Sequence, residues 1–527
     1  MNDRSPWWQR GVVYQIYPRS FQDSNGDGIG DLKGITDRLA YIAALGVDAI
    51  WLSPVYPSPM ADFGYDVLDY VGIDPIFGTR DEFDILVATA HGLGLKIIMD
   101  LVPNHTSSAH PWFLESRASR ANPKRDWYIW RDGRDGGPPN NWLSEFGGPA
   151  WTLDPLTGQY YYHAYLAAQP DLNWRNPEVA AAIHDAMRFW FARGVDGFRL
   201  DTIQHLVEDE QLRDNPPNPA YHASQPPTEA VTRLYTVDRP ETQDVLAGFR
   251  RVADEYPERV LIGEAYIALE PLMAYYGRNG SGLQLPFNFH LLTTPWRADA
   301  LADLIQRYEA LLPAGAWPNW VLGNHDRARL ASRIGLAQAR VAAMLLLTLR
   351  GTPTLYYGDE LGMTDVPISP EQVQDPWEKN VPGFGLGRDP VRTPMPWGSG
   401  PHGGFTSGTP WLPIGPDAAT RNVAAQSDDS DSMLSLYRAL LALRRREPAL
   451  SMGNYGRVEA QGDVLIFERT HESRRLMICL NMAGRSAPTV VPDRADILLS
   501  THSGRPVVAA AGAICLEADE GIVLAVA

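Results

Sequence analysis

Short, nearly unbroken apolar runs alternate with amphipathic segments through the first 450 residues. The runs are GVVYQIYPRSF (11–21), DAIWLSPVY (48–56), KIIMDLVPNH (96–105) and GVDGFRLDT (194–202). Four more follow: RVLIGEAY (259–266), LQLPFNF (283–289), NWVLGNHD (319–326) and GTPTLYYGDE (351–360). Runs this short with little polar alternation predict parallel strands covered on both faces. The segments TDRLAYIAALG, TRDEFDILVATAHGLG and TQDVLAGFRRVADEY carry helical periodicity. A further helix over 177–193 has Asn176 as its cap and Pro177 in its first turn, and stops at Gly194. Eight βα units in series predict an α/β chain folded as a (β/α)8 TIM barrel.

Two intervals break this rhythm. Residues 104–173 are too long for one helix and rich in Pro, Gly, Asn, Trp and Tyr, which predicts a domain inserted after strand 3. Residues 362–405, also rich in Pro and Gly, predict an extra loop or subdomain after strand 8. A helix over 432–450 closes the barrel, and the β-rich tail 451–527 (DVLIFERT, LMICLNM, GIVLAV) predicts a C-terminal antiparallel β-sandwich. The catalytic barrel is thus assigned to 1–103 and 174–450. No internal repeat is visible.

Net charge changes the picture by exclusion. At −17, the chain is a poor partner for nucleic acid or an anionic membrane. Two cysteines, Cys479 and Cys515, exclude a disulfide framework, and both lie in apolar runs that predict buried thiols. No basic stretch followed by an apolar run opens the sequence, and Val341 to Leu349 is too short to span a bilayer. The expectation is a cytoplasmic protein, monomeric or homodimeric. Sixteen Trp and 22 Tyr add a weak hint of sugar-binding surfaces.

Candidate chemistry gathers at the C-terminal ends of the predicted strands, the face where barrel active sites form. Asp100, Asn104 and His105 follow strand 3, Arg199 and Asp201 end strand 4, Glu264 ends strand 5, and His325 and Asp326 end strand 7. Two facing carboxyl groups are what glycoside cleavage needs. Arg199, two residues before Asp201, points the same way in a strand and is expected to hold that carboxylate ionised. The apolar VLIG before Glu264 is expected to raise its pKa, as a general acid requires. Asp326 remains as a third charge beside the sugar.

The segments DLVPNH (100–105), GFRLD (197–201), GEA (263–265) and NHD (324–326) resemble, in order, the four signature regions of the α-amylase family of glycoside hydrolases, family 13. VYQIYPRSF, QPDLN (169–173) and GTPTLYYGDELG (351–362) extend the likeness over essentially the whole chain. QPDLN and RTPMPW (392–397) are similar to the oligo-1,6-glucosidase and α-glucosidase branch. The resemblance implies Asp201 as nucleophile, Glu264 as acid/base and Asp326 as transition-state stabiliser. It implies His105, His325 and Gln169 as sugar ligands, Arg199 as support for the nucleophile, and Tyr65 as a stacking platform. It further implies that Asp66 and Arg392 clamp the far edge of a terminal glucose and make the enzyme exo-acting. Phe146 and Tyr165 are candidate pocket walls, or packing groups of the inserted domain. Thr202 resembles α-1,4-preferring members, where valine accompanies α-1,6 activity. The expected substrates are maltose, short malto-oligosaccharides and sucrose, cleaved with retention, with transfer to acceptors as a branch of the same reaction. An oligo-1,6-glucosidase, a trehalose synthase or another glucosyltransferase are the alternatives; a non-catalytic family member lacks part of the carboxylate set present here.

One stretch stands apart from this chemistry. DSNGDGIGD (23–31) offers Asp23, Asn25, Asp27, the Ile29 carbonyl and Asp31 at the first five alternating ligand positions of a calcium-binding helix–loop–helix motif, with Gly28 at the turn. Its closing position falls on Gly34, where that motif needs a bidentate glutamate, and the loop follows a strand rather than a helix. The expectation is structural calcium, or magnesium in its place; a metal-free Asx/Gly turn is the other reading. The α-glucosidase branch carries a similar segment in a structural metal-binding role. No organic cofactor is expected.

Overall fold

The computed structural model describes residues 5–505, 509–510 and 512–526. Residues 1–4 and 527, which the sequence reading assigned to the barrel and the C-terminal domain, lie outside the described residues.

Eight short strands form one parallel sheet. They are β1 (Val13–Ile16), β2 (Ala49–Leu52), β3 (Lys96–Leu101), β4 (Gly197–Leu200), β5 (Val260–Gly263), β6 (Leu285–Pro286), β7 (Asn319–Val321) and β8 (Thr352–Tyr356). Their order is β7-β8-β1-β2-β3-β4-β5-β6, and a parallel bridge between Asn288 and Trp320 joins the two ends into a ring. Each predicted apolar run contains one of these strands, trimmed to the part that pairs. Nearly every strand residue is buried, so the missing polar alternation reflects two covered faces.

Local sequence fixes where the outer helices begin. Asp31 caps Leu32–Leu45 by accepting from the Gly34 amide, and Gly46 at φ +100° ends it. Thr79 and Glu82 form a capping box on Arg80–Gly92, and Asn176 caps Pro177–Ala192. Ser432 caps Met433–Arg446, whose apolar face packs back on the barrel.

The insertion after β3 holds helix Pro111–Ala118 and a three-stranded antiparallel sheet of Trp130–Arg131, Trp151–Asp154 and Gln159–Tyr162. Ile129, Trp142, Trp151 and Tyr162 give it a small core of its own. After the barrel, a six-stranded and a two-stranded antiparallel sheet form the C-terminal unit. Cys479 is buried there, but Cys515 is exposed. Period-two alternation along Ala513–Leu516 turns Leu516 inward and Cys515 to solvent, correcting the expectation for that thiol.

One segment was not singled out in the sequence. Residues 203–241 run as a long excursion between β4 and helix Thr242–Asp254, with only short 3-10 turns and one bridge, Pro217 to Val231. Five prolines between 216 and 227 mark it in retrospect, since each removes a backbone donor. Among the described residues, no helix is long and apolar enough to cross a membrane.

Candidate active site

The carboxylates expected from the strand ends converge around one guanidinium. Arg199 is fully buried, and its Nη1 donates to both oxygens of Asp100 (2.8 and 3.0 Å) and to Asp201 Oδ1 (2.7 Å). Its Nη2 donates to Glu264 Oε2. Thr202 ties the same pair together from the chain side: its amide donates to Glu264 Oε2 (3.1 Å) and its hydroxyl to Asp201 Oδ2 (3.2 Å). To do so it adopts φ +43°, a left-handed conformation that a β-branched residue rarely takes, so the turn stores strain beside the two carboxyl groups.

Asp326 is held from another side. Arg392 Nη2 (3.0 Å) and Arg388 Nη1 (3.3 Å) donate to its Oδ1, and His325 Nε2 lies 3.3 Å from its Oδ2. His325 stacks on Tyr65 with ring centroids 5.3 Å apart and planes 4° from parallel. Gln15 lies 2.8 Å from its Nδ1 and the Tyr65 hydroxyl 2.6 Å from its Nε2, while that hydroxyl donates to Asp100. The network therefore assigns a neutral ring with its proton on Nε2. Burial supports this, lowering the His325 pKa well below its ordinary value and that of His105 to about 3. His105 sits 3.1 Å from the Tyr65 carbonyl and 3.0 Å from Gln169 Nε2, at the seam between barrel and insertion.

The charge balance decides where protons reside. Among the described residues, the guanidinium partners of Asp62, Asp100, Asp201, Glu264, Asp326 and Asp375 in this network are Arg199, Arg388 and Arg392. Six carboxyl groups against three guanidinium groups leave too little positive charge for full ionisation in a buried site. Burial raises Glu264 to about 8, with Arg199 opposing and Asp201 and Asp326 reinforcing. Burial likewise raises Asp201 to about 7 despite Arg199, because Asp100 competes for the same guanidinium. Arg199 acts in the expected direction, favouring the ionised form of Asp201, but burial and Asp100 outweigh it. Asp326 goes the other way: burial raises it, but His325, Arg388 and Arg392 together hold it well below its ordinary value. The pair Asp201–Glu264 shares protons while Asp326 stays charged.

A cavity of about 260 Å³ opens over these groups. Asp62, Tyr65, His105, Phe146, Tyr165 and Arg388 line its inner part together with the three carboxylates. Phe146 and Tyr165 are therefore walls, and they also pack together at 5.6 Å. A larger groove of about 860 Å³ lies at the N-terminal ends of β1 to β3, lined by Arg10, Asp48 and Lys96 among others. The converging carboxylates and the strand C-termini are all at the smaller cavity.

A model of the α-amylase catalytic domain matches residues 15–453. The chain belongs to the α-amylase family. A probable α-glucosidase of Rhizobium meliloti is 47% identical over 506 residues, covering 92% of this chain and 91% of the relative. An oligo-1,6-glucosidase of Halalkalibacterium halodurans is 39% identical over 530 residues, covering 94% and 93%. Among solved structures, the α-glucosyl transfer enzyme XgtA superposes with a TM-score of 0.93 at 42% identity, covering 99% of this chain and 100% of its own. The trehalulose synthase MutB of Pseudomonas mesoacidophila MX-45 follows at 0.91 and 34%, covering 99% of each. The protein is a glycoside hydrolase of the α-glucosidase kind.

Three of the expected sugar ligands lie behind the cavity lining; Gln169 is fully buried and bonds to Asp62 and His105. Asp66 is fully buried behind the cavity, where it accepts from the Ser58 hydroxyl and the Ala61 and Asp62 amides. Arg392 is also fully buried; it donates to the His325 carbonyl and braces Asp326. The charged pair lining the cavity is Asp62 with Arg388, bonded at 2.6 Å, four residues away from each expected partner. Both segments hold two like candidates one turn apart (Asp62 and Asp66, Arg388 and Arg392), and spacing alone does not choose between them. Arg388 is locked further by Asp375 and by the Phe146 ring 5.0 Å away. Glu145, Gln204, Arg233, Tyr266, Arg327 and Trp377, around the cavity, were not picked out in the sequence. Glu145, Arg233 and Arg327 come from loops, Gln204 and Trp377 from single short helical turns, and Tyr266 from the end of the 259–266 run, where no periodic pattern marks them.

The 23–31 loop holds itself together. Asp23 accepts from the Asn25, Gly26 and Gly28 amides and from the Thr406 hydroxyl, Asn25 from the Asp27 amide, and Asp27 from the Ile29 amide. Burial raises the Asp23 pKa, but these bonds outweigh it and leave a net lowering. A cation would have to use the remaining lone pairs of these oxygens and the Ile29 carbonyl. Asp31 fits that set least, since both its oxygens serve Ser24 and the cap at Gly34. Among the described residues, no group of three or more His, Cys, Asp and Glu is drawn together as a metal site.

Proposed function

We propose that the enzyme is an exo-acting, retaining α-glucosidase that releases glucose from the non-reducing end of short α-glucosides, with α-1,4 linkages preferred. The observation that carries this reading is that Asp201 and Glu264 share one guanidinium in a cavity also lined by the buried, bonded Asp62–Arg388 pair. Carboxyl groups so closely held fit the short separation of retaining pairs, about 5 Å, better than the wider gap that accommodates a water.

In the first step ionised Asp201 attacks the anomeric carbon while protonated Glu264 gives its proton to the leaving oxygen. Glu264, now ionised, then takes a proton from water as the water oxygen displaces Asp201, and the α anomer is restored. Asp326, kept charged by its two arginines, faces the positive charge that develops on the ring. His105 and His325 supply hydrogen bonds to sugar hydroxyls, Gln169 positions His105 and Asp62 from behind, and Asp62 with Arg388 take the far edge of the terminal glucose. A longer chain meets that ion pair, which limits cleavage to the chain end.

Transfer is the second reading, supported by the likeness to a glucosyl transfer enzyme at 42% identity. Glucosyl-Asp201 accepts any hydroxyl that Glu264 can deprotonate. Initial rates on maltose, isomaltose, sucrose and trehalose, with products followed by anomer-resolved NMR, test the proposal. α-Glucose released first from maltose supports it; trehalose as main product, or β-glucose first, refutes it.

A further inference from the structure

Three arginines line the cavity: Arg233, Arg327 and Arg388. Two are neutralised in place, Arg233 by Glu145 at 2.6 Å and Arg388 by Asp62 and Asp375. Arg327 differs. It is exposed, and among the described residues no carboxylate lies within ion-pairing distance of its guanidinium. Its guanidinium carbon instead sits 4.6 Å from the centre of the Tyr266 ring. Tyr266 is itself fixed, stacked on Phe289 at 4.1 Å with planes 6° apart, and bonded through its hydroxyl to Asn324 at 3.2 Å. A cation held on a rigid aromatic platform loses little entropy on taking a ligand.

Its position gives the chemistry. Arg327 directly follows Asp326 and lines the cavity together with Glu264, the group that protonates the leaving oxygen. Asp62 and Arg388, which take the sugar in the reading above, are buried in the same cavity, whereas Arg327 is exposed. The guanidinium therefore faces the leaving group, or an acceptor in the same place, and not the glucose that is transferred. Glu229 also lines the cavity but does not pair with it.

We infer that Arg327 forms an aglycone subsite selective for α-glucosides whose aglycone carries a carboxylate. A guanidinium takes a carboxylate through two parallel hydrogen bonds, and exposure at the cavity mouth sets the gain at several-fold rather than thousands-fold. The inference rests on the α-glucosidase reading above.

Maltobionate and maltitol test it. Both present an α-1,4-glucosyl group on an open-chain six-carbon aglycone, and they differ in carboxylate against hydroxymethyl at its end. The wild-type kcat/KM ratio of maltobionate to maltitol is expected at about fivefold in low salt, collapsing towards one at about 0.5 M salt. Arg327→Gln brings the ratio near one whatever it does to the two rates in common, and Arg327→Lys restores part of it. A wild-type ratio at or below one, or a ratio preserved in R327Q, overturns the subsite. Maltose cleaved without any such discrimination refutes only the subsite, whereas failure to cleave maltose refutes the reading beneath it as well.

Discussion

Thr202→Val is the cleanest probe of how this site sets its protonation states. Valine keeps the size and branching of threonine at φ +43°, so the strained turn and the amide bond to Glu264 stay in place. What disappears is the hydroxyl that donates to Asp201 Oδ2 at 3.2 Å. A hydrogen bond to a charged acceptor contributes about 1.5 kcal/mol, and one pKa unit corresponds to roughly the same free energy. Losing it disfavours the carboxylate, so Asp201, already raised by burial to about 7, moves up by about one unit. Asp201 must be ionised to attack, and activity is lost as pH falls through its pKa. Glu264, raised to about 8, must be protonated, and activity is lost as pH rises through its own.

The two limbs of kcat/KM against pH are thus about one unit apart in the wild type and nearly coincide in T202V. When the limbs coincide, the fraction in the productive state at the optimum falls only about twofold. The acid limb, not the peak rate, is therefore the quantity to measure, on maltose at constant ionic strength. An acid limb that moves by less than about 0.3 units would show that the Thr202 hydroxyl does not tune Asp201. The same variant, assayed on isomaltose and maltose, tests linkage choice: a relative gain on isomaltose is expected, and an unchanged ratio places that choice in the loops.

Asp201→Asn should lower kcat by about four orders of magnitude or more with unchanged circular dichroism; residual activity above about one per cent refutes it as nucleophile. Because the folded-state pKa of Asp201 is raised, its ionisation costs stability as pH rises through about 7, so above that pH D201N should melt no lower than wild type. Arg388→Ala leaves Asp62 and Asp375 buried without their cation, at a cost of about 3–5 kcal/mol, and breaks the pair that lines the cavity. Its melting temperature should fall and its activity on longer malto-oligosaccharides rise relative to maltose; an unchanged chain-length profile removes the pair from specificity. We propose calcium, or magnesium, as a structural ion of the 23–31 loop. EDTA should then lower the melting temperature, and no shift together with no metal by elemental analysis leaves a turn held by its own amides.

The sequence by itself determined the barrel, because strands covered on both faces need continuous apolar runs and helices between them need a cap and a stripe. Asn176 is legible as a cap for that reason, while Asp31, Thr79 and Ser432 emerge as caps in the structure. It also determined Asp201, Glu264 and Asp326, since strand ends of a barrel open on one face however far apart they lie in the chain. Tertiary structure alone decided the rest. Asp62 against Asp66, and Arg388 against Arg392, are choices of side-chain direction within turns, where no period of two or 3.6 tells inside from outside. The pKa order of Asp201 and Glu264 depends on how many carboxyl groups share Arg199, and Asp100, a hundred residues away along the chain, is one of them. That Arg327 sits over the Tyr266 ring, with no carboxylate in ion-pairing distance among the described residues, is a property of packing and not of spacing.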